Sequence, residues 1–136
     1  MLQSKKIKTA SLIIQITFYL FAGINHFINP EFYYPLIPEY LSDFKLPINI
    51  VSGLAEIILA LLLITAKTRR IAGVGIIIML IAFIPSHVFF ITAGIDSVGH
   101  LQVSPMMAWI RLLVIHPLLI LWAFSISREH VTEKTI

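Results

Sequence analysis

Apolar residues in this chain form long continuous runs, and short segments that contain polar residues and proline separate them. A helix needs about 20 apolar residues to cross a bilayer core about 30 Å thick. Four runs reach that length, at residues 9–28, 47–66, 71–92 and 105–127. Pro30, Pro47 and Pro105 stand at their ends, where a missing N–H does no harm. In lipid, only helices and closed β-barrels satisfy all backbone hydrogen bonds. The apolar residues here are continuous and do not alternate with polar residues as in a barrel strand, so the runs predict an all-α integral membrane four-helix bundle.

The composition agrees with a single membrane domain of 136 residues. Hydrophobic residues make up 58% of the chain and charged residues 12%, and the mean hydropathy is +0.92. A soluble domain carries roughly 25% charged residues. The composition therefore argues against a cytosolic enzyme, a nucleic-acid-binding domain and a disordered chain. The absence of cysteine excludes disulfide, thiolate and cysteine–metal chemistry within the chain.

Lysine and arginine predict the orientation, because they are enriched at the cytoplasmic ends of membrane helices. Eight of the ten lie before the first run, between the second and third, or after the fourth: Lys5, Lys6, Lys8, Lys67, Arg69, Arg70, Arg128 and Lys134. The first and third connections together contain a single lysine, Lys45, and no arginine. We therefore expect both termini in the cytoplasm and a multi-pass location in the cell (inner) membrane. The first run is too long for a signal peptide and no Ala-x-Ala site follows it, so we expect it to be retained.

The first connection, residues 29–46, is rich in aromatic side chains, among them Tyr33, Tyr34 and Tyr40. Aromatic rings with polar tips prefer the headgroup layer of a membrane. We expect this segment to cover the outer end of the bundle. An aromatic belt is the favoured interpretation, and a lid over a ligand site is the alternative.

Five ionisable residues lie inside the predicted helices: His26, Glu56, His87, Arg111 and His116. A charged side chain in a membrane helix costs about 2.5–3.5 kcal/mol on insertion scales and marks a functional candidate. At about 1.5 Å per residue, the first four fall between the midplane and the outer surface, one on each helix. His116 follows Arg111 by five positions, which turns it about 140° away, and a structural role is favoured for it.

Helical spacing predicts which faces point into the bundle, since residues three and four apart share a face and polar or small faces avoid lipid. The predicted inward faces are Gln15, Tyr19, Ala22 and His26 on the first helix; Gly53, Glu56 and Ala60 on the second; Leu80, Phe83, His87 and Phe90 on the third; and Met107, Ala108, Arg111 and Leu118 on the fourth.

These faces predict a buried polar pocket that opens toward the outer side. Its predicted ligand-binding residues are His26, Glu56, His87, Arg111, Tyr19 and Asn25. Glu56 and Arg111 are expected to form an ion pair, because opposite charges in a low-dielectric interior must pair. No catalytic residue is assigned.

Other interpretations of the same residues stay open. A pair of Glu56 and Arg111 can serve only to fix helix register, and membrane histidines often act as interhelical hydrogen-bond donors. Two histidines and a carboxylate, His26, His87 and Glu56, also suit a metal, and two histidines suit a haem. No spacing motif supports either arrangement, so no metal site is predicted.

Several segments resemble DoxX-like membrane proteins across nearly the whole chain. They are FAGINHF at 21–27 with Pro30 and Pro38, SGLAE at 52–56, KTRR at 67–70, and the order Trp109, Arg111, Pro117, Trp122. The resemblance implies a four-helix membrane bundle. It also implies a link to quinone-reducing, thiosulfate-oxidising or oxidative-stress oxidoreductase complexes, or, as in an animal branch, to the assembly of ion-channel receptors. It supplies no catalytic residues.

Two functions of different classes follow. The first is an accessory subunit of a membrane redox system that binds a quinone or lipid-like ligand, with electrons passing through a bound quinone or a partner's cofactor. The second is a non-enzymatic membrane assembly or interaction protein. Expected partners are the lipid bilayer, a membrane-protein or redox partner and an apolar small molecule, and no nucleic acid. Whether the chain is an enzyme and whether it forms a homo-oligomer stay open; a transporter of four helices would need a dimer.

Overall fold

The computed structural model describes the backbone of residues 2–132 and the side chains of residues 4–128. Lys134, used above for the orientation, lies outside the described residues. The helices are α1 (Leu2–Ile28), α2 (Lys45–Ile64), α3 (Arg69–Thr92), α4 (Pro105–Ile110) and α5 (His116–Thr132). A π-helical turn, Arg111–Ile115, joins α4 to α5 and makes one continuous rod of them.

Four stretches of this part of the chain are long and apolar enough to cross a membrane: Ser4–Ile28, Glu39–Ile64, Arg69–Thr92 and Pro105–Arg128. The prediction of four such helices is therefore confirmed. The first helix begins seven residues earlier than predicted, at Leu2 instead of residue 9. The second is shifted by two residues toward the N-terminus, spanning Lys45–Ile64 instead of 47–66.

Local signals explain where the helices end. Arg69 Nε donates to the carbonyl oxygen of Leu63 at 3.0 Å and Thr68 Oγ1 to that of Leu62 at 2.6 Å, so the short turn after α2 caps its last carbonyls. At the end of α3, Gly94 has a φ of +65°, and the following N–H of Ile95 bonds back to the Phe90 carbonyl at 3.2 Å. This left-handed glycine cap stops the helix.

The connections outside the turn at 65–68 carry short elements of their own. Three 3-10 helices, Pro30–Phe32, Tyr34–Leu36 and Glu39–Phe44, fill the first connection. The third contains an antiparallel hairpin of two-residue strands, β1 (Ser97–Val98) and β2 (Leu101–Gln102), with Ser97 opposite Gln102. This hairpin is a small addition to the predicted all-α bundle.

Glycine allows two pairs of helices to cross at very short range. A Cβ on Gly23 of α1 would lie 2.8 Å from the carbonyl oxygen of Gly53 on α2, and a Cβ on Gly53 would lie 2.7 Å from His26 Cβ. Likewise a Cβ on Gly73 of α3 would lie 3.0 Å from the Ala123 carbonyl oxygen on α5. Backbones this close are typical of membrane helices that pack through small residues.

The apolar core lies in two places. The larger cluster fills the half of the bundle nearer the chain termini and includes Leu63, Ile76 and Ala123. In that half Trp122 Nε1 donates to Ser11 Oγ at 2.7 Å, which ties α5 to α1. The smaller cluster lies at the opposite end, where Leu36 of the first connection packs with Phe90, Val98 and Ala108.

The fourth membrane-length helix departs from the predicted α-helical geometry. Pro117 is the second residue after the π turn, and its ring would clash with the carbonyl four residues earlier in a regular helix. The wider turn, closed by the His116 N–H on the Arg111 carbonyl, accommodates it. The predicted shared face on this helix is therefore wrong in part: Met107 is 57% and Leu118 58% exposed, while Ala108 is buried and Arg111 half-buried.

Gly53→Ala tests the helix crossing. The added methyl would meet His26 Cβ and the Gly23 carbonyl, neither of which can move without the backbone, so we expect a loss of about 1–3 kcal/mol in unfolding free energy. Thermal unfolding in detergent followed by circular dichroism measures it. Gly75→Ala is the matched control, since its methyl meets only the flexible end of Leu59. Equal melting temperatures for the two variants would contradict the crossing.

Candidate functional site

A cavity of about 420 Å³ opens between the helices at the end where the first connection covers the bundle. Four of the six predicted site residues line it: His26, Glu56, His87 and Arg111. Glu56 lies deepest along its helix, about 16 Å from the first residue of α2 at a rise of 1.5 Å per residue. The first connection, α2 and α3 supply the rest of the lining: Tyr33, Leu36, Ile37, Pro38, Tyr40, Leu41, Ile48, Asn49, Ser52, Ala82, Phe83, Pro85 and Ser86.

Asn49 fixes the orientation of His26. The Asn49 Nδ2 donates to the backbone carbonyl of His26 at 2.8 Å, and its Oδ1 lies 2.7 Å from His26 Nδ1. A carbonyl oxygen only accepts, so Nδ1 must carry the proton and donate. Both residues are buried, and the amide thereby determines the tautomer of the imidazole.

The other ring nitrogen of His26 faces Glu56. His26 Nε2 and Glu56 Oε2 are 3.6 Å apart, and that oxygen is buried and has no hydrogen-bond partner. Because Nδ1 already holds a proton, an unprotonated Nε2 would point its lone pair at the carboxylate. The contact is favourable only with one proton between the two groups, on either the imidazole or the carboxyl. The pair is thus a buried holder of a single proton that borders the cavity.

Tyr33 of the first connection closes the other side of His26. The two rings stack with centroids 3.5 Å apart and an interplanar angle of 17°. The Tyr33 hydroxyl donates to the Ala22 carbonyl at 3.1 Å and accepts from Asn25 Nδ2 at 3.1 Å. Burial raises the pKa of this hydroxyl, and the bond from Asn25 partly opposes the rise. Tyr33 is therefore a neutral wall of the cavity, and its ring is turned inward onto His26.

Asn25 and Tyr19, the two remaining predicted site residues, do not line the cavity. Asn25 acts from outside by holding Tyr33. Tyr19 is 1% exposed and belongs to the larger apolar cluster, where its hydroxyl has no hydrogen-bond partner within the described residues. The side-chain amide of Gln15, one turn earlier, is likewise buried without a partner there.

The predicted ion pair of Glu56 and Arg111 is wrong in the described structure. Both side chains line the cavity, but the nearest ionic partner of Glu56 is His26, not Arg111. The Arg111 guanidinium makes no hydrogen bond or ion pair with any described residue. Glu56 faces His26 because Asn49, on the same helix as Glu56, holds the His26 ring with its Oδ1 2.7 Å from Nδ1.

His116 lies closer to the site than its spacing predicted. Its Nε2 donates to the Leu80 carbonyl on α3 at 2.6 Å, and its ring lies edge-on to His87 with centroids 4.9 Å apart. Residues five apart are neighbours across a π turn, so His116 is not rotated away as an α-helix would rotate it. It ties the last helix to α3 and supports His87 at the cavity wall, in line with the structural role favoured above.

Sequence reasoning missed Asn49 and two serines of the cavity wall, Ser52 and Ser86. Asn49 had a signal, because it precedes Glu56 by seven positions and so shares its face. Tyr33 belongs to the segment for which a lid over a ligand site was the alternative interpretation, but its stacking on His26 had no signal, since it depends on how the first connection folds. Within the described residues no three histidine, aspartate or glutamate side chains are grouped to hold a metal.

The fold and the site define a class: a helical bundle whose four membrane-length helices enclose, at one end, a cavity with apolar walls and a few polar side chains. The chain belongs to the family described as a domain of unknown function, DUF8561, whose profile matches residues 16–127. That range contains every residue that lines the cavity. No curated protein and no solved structure matches the chain.

Asn49→Leu and Tyr19→Phe should have opposite consequences for stability. The first leaves His26 Nδ1 and a buried carbonyl without partners, which costs about 1–3 kcal/mol. The second removes a hydroxyl that has no partner, so the unfolding free energy should be unchanged or higher. Denaturation of both variants in the same detergent tests this. A larger loss for Tyr19→Phe than for Asn49→Leu would refute the hydrogen-bond assignment.

Proposed function

We propose that this chain is a multi-pass protein of the cell (inner) membrane that binds a quinone or another lipid-like molecule in its cavity. In this proposal it serves as an accessory subunit of a membrane redox system, and both termini face the cytoplasm. The observation that carries the proposal is the cavity itself, about 420 Å³ with apolar walls and a buried proton-holding pair.

Insertion in a membrane is supported by the outer surface of the bundle. Large apolar side chains are exposed along the helices, for example Phe21, Ile71 and Leu113. A soluble monomer rarely exposes contiguous apolar patches beyond a few hundred Å². Lipid chains would cover this surface without a cost in hydration.

The orientation is supported by the charges at the two ends. The end with the N-terminus and the turn at 65–68 carries most of the basic residues, whereas Glu31, Glu39 and Asp43 lie in the connection at the other end. By the positive-inside rule the first end is cytoplasmic. The cavity then opens toward the outer side of the membrane.

The chemistry of the lining supports a ligand with an apolar body and a polar head. Leu36, Ile37 and Phe83 offer apolar contacts, and the serine, histidine and arginine side chains offer hydrogen-bond donors. Ligand sites typically combine apolar walls with a few placed polar groups. A quinone has a lipid tail and two carbonyl oxygens that accept such bonds.

The pair of His26 and Glu56 suits proton exchange with such a ligand. Reduction of a quinone takes two electrons and two protons, and a histidine is adapted to proton transfer near neutral pH. The pair would supply one proton at a time to a ligand oxygen. The chain has no cysteine, so the electrons would come from a partner's cofactor.

The resemblance to DoxX-like proteins favours a redox accessory role over the alternative, a non-enzymatic assembly or interaction protein. The two differ in what the cavity residues do. In an assembly protein, Glu56 and His26 would affect folding only, and substitutions on a lipid-facing helix surface would disrupt a complex.

Ser52→Phe tests whether the cavity holds a ligand. The added ring would fill part of the space beside Asn49 and Glu56, so the variant should purify with much less quinone or lipid-like molecule than the unaltered protein. Organic extraction and mass spectrometry of protein in detergent measure the amount. Leu54→Phe on the exposed face of α2 is the matched control and should retain the ligand. Equal amounts of the co-purified molecule in Ser52→Phe and Leu54→Phe would reject the proposal, and so would its absence from the unaltered protein.

Single cysteines test the orientation, because the native chain contains none. Asp43→Cys lies in the first connection and Lys67→Cys in the turn between α2 and α3. A membrane-impermeant maleimide should label the first in right-side-out vesicles and the second in inside-out vesicles. The opposite labelling would invert the orientation, and labelling of both from one side would contradict membrane insertion.

A further inference from the structure

Arg111 is the one charged group of the described cavity wall whose charge nothing nearby balances. His26 and Glu56 share one proton, so together they are neutral. Tyr33 keeps its proton, since it donates to the Ala22 carbonyl. His87, the second histidine of the lining, is counted as neutral, as histidine mostly is at pH 7. The cavity therefore carries a net charge of about +1, located on the guanidinium.

A charge in this position needs a counter-charge. Arg111 lies six residues into its helix, about 9 Å along the axis from Pro105, within a segment long and apolar enough to span a membrane. Charged residues inside membrane helices pair with each other or line a ligand pathway. Arg111 has no partner among the described residues, so the pairing group must come from outside them.

We propose that the molecule bound in the cavity has a head group with a single negative charge, a carboxylate or a phosphate, which Arg111 binds. This inference rests on the proposed function, because it specifies the ligand of that same cavity, and it selects an anionic lipid-like molecule over a neutral quinone. A guanidinium presents donors in a fork that matches both anions. The apolar walls of Leu36, Ile37 and Phe83 would hold the chain of the molecule.

The neighbouring groups favour one negative charge over two. The neutral pair of His26 and Glu56 offers no second cation, and a further anionic charge would share the cavity with the Glu56 carboxyl. The Ser86 hydroxyl, which lines the same cavity, can add a donor to the anion without changing the charge. A fatty acid and an anionic phospholipid both meet these requirements.

The inference is tested by comparing the binding of amphiphiles that share the same hydrocarbon tail and differ in the charge of the head group. Delipidated protein in a non-ionic detergent is titrated with oleate, oleyl alcohol and oleylamine, and complexes are counted by native mass spectrometry. Oleate should bind about tenfold or more tightly than the alcohol, because only its carboxylate can pair with the guanidinium. In a second titration, anionic phosphatidylglycerol is compared with phosphatidylcholine, whose head group has no net charge. If the protein prefers phosphatidylglycerol but does not bind oleate, the anion that Arg111 binds is the phosphate of a bilayer lipid.

Variants assign the preference to Arg111. Arg111→Gln should bind oleate and oleyl alcohol equally, whereas Arg111→Lys should keep most of the preference. Arg70→Gln, in an exposed position at the opposite end of the bundle, is the matched control and should behave as the unaltered protein. The comparison of head groups uses the unaltered protein, so it stands even when a variant fails to fold.

The outcomes separate this inference from the proposed function. Equal binding of neutral and anionic heads, or a preference that survives Arg111→Gln, would overturn the anion site and leave a ligand cavity in place. Tighter binding of a neutral quinone than of oleate would also overturn the anion site and leave the ligand cavity in place. If no amphiphile, lipid or quinone binds, the proposed function fails as well.

Discussion

The close approach of α1 and α2 at Gly23 and Gly53 is the constraint on which the site depends. Only where two backbones come this near can the side-chain amide of Asn49 reach both the ring and the main chain of His26. The crossing also brings His26 within 3.6 Å of Glu56. In the membrane location proposed for this chain, lipid gives helices no hydrophobic reason to associate, so close packing and buried hydrogen bonds would hold such a pair together.

The second glycine crossing, at Gly73, and the bond of Trp122 to Ser11 hold the other half of the bundle. This half is packed with apolar side chains, whereas the half under the first connection encloses the cavity. The bundle thus separates a part that fixes the arrangement of the helices from a part that leaves space for another molecule. Arg111 and His87 belong to the second part, and the apolar cluster at Leu36 seals it beside the first connection.

The sequence predicted the helices and most of their inward faces, but not the partners across helices. Continuous apolar runs are sufficient to predict the helices. Helical spacing is sufficient to predict an inward face: Gln15, Tyr19 and His26 share one face by their spacing, and all three are buried. Which side chains touch depends on the rotation and neighbours of each helix. Glu56 pairs with His26 instead of Arg111, because α1 and α2 cross closely at Gly23 and Gly53. The π turn has no clear signal in the sequence apart from Pro117, so the contact of His116 with His87 was not predicted.

The π turn at Arg111–Ile115 also sets which face of the last helix meets α3. It accommodates one more residue than an α-helical turn would. Regular α-helical winding of the same residues would rotate the stretch after the turn by about 100° relative to the stretch before it. The His116 ring would then face away from the Leu80 carbonyl, and its bond to α3 would be lost. Deletion of one residue within the turn would instead remove the bulge and leave the two flanking stretches in nearly the same relative orientation.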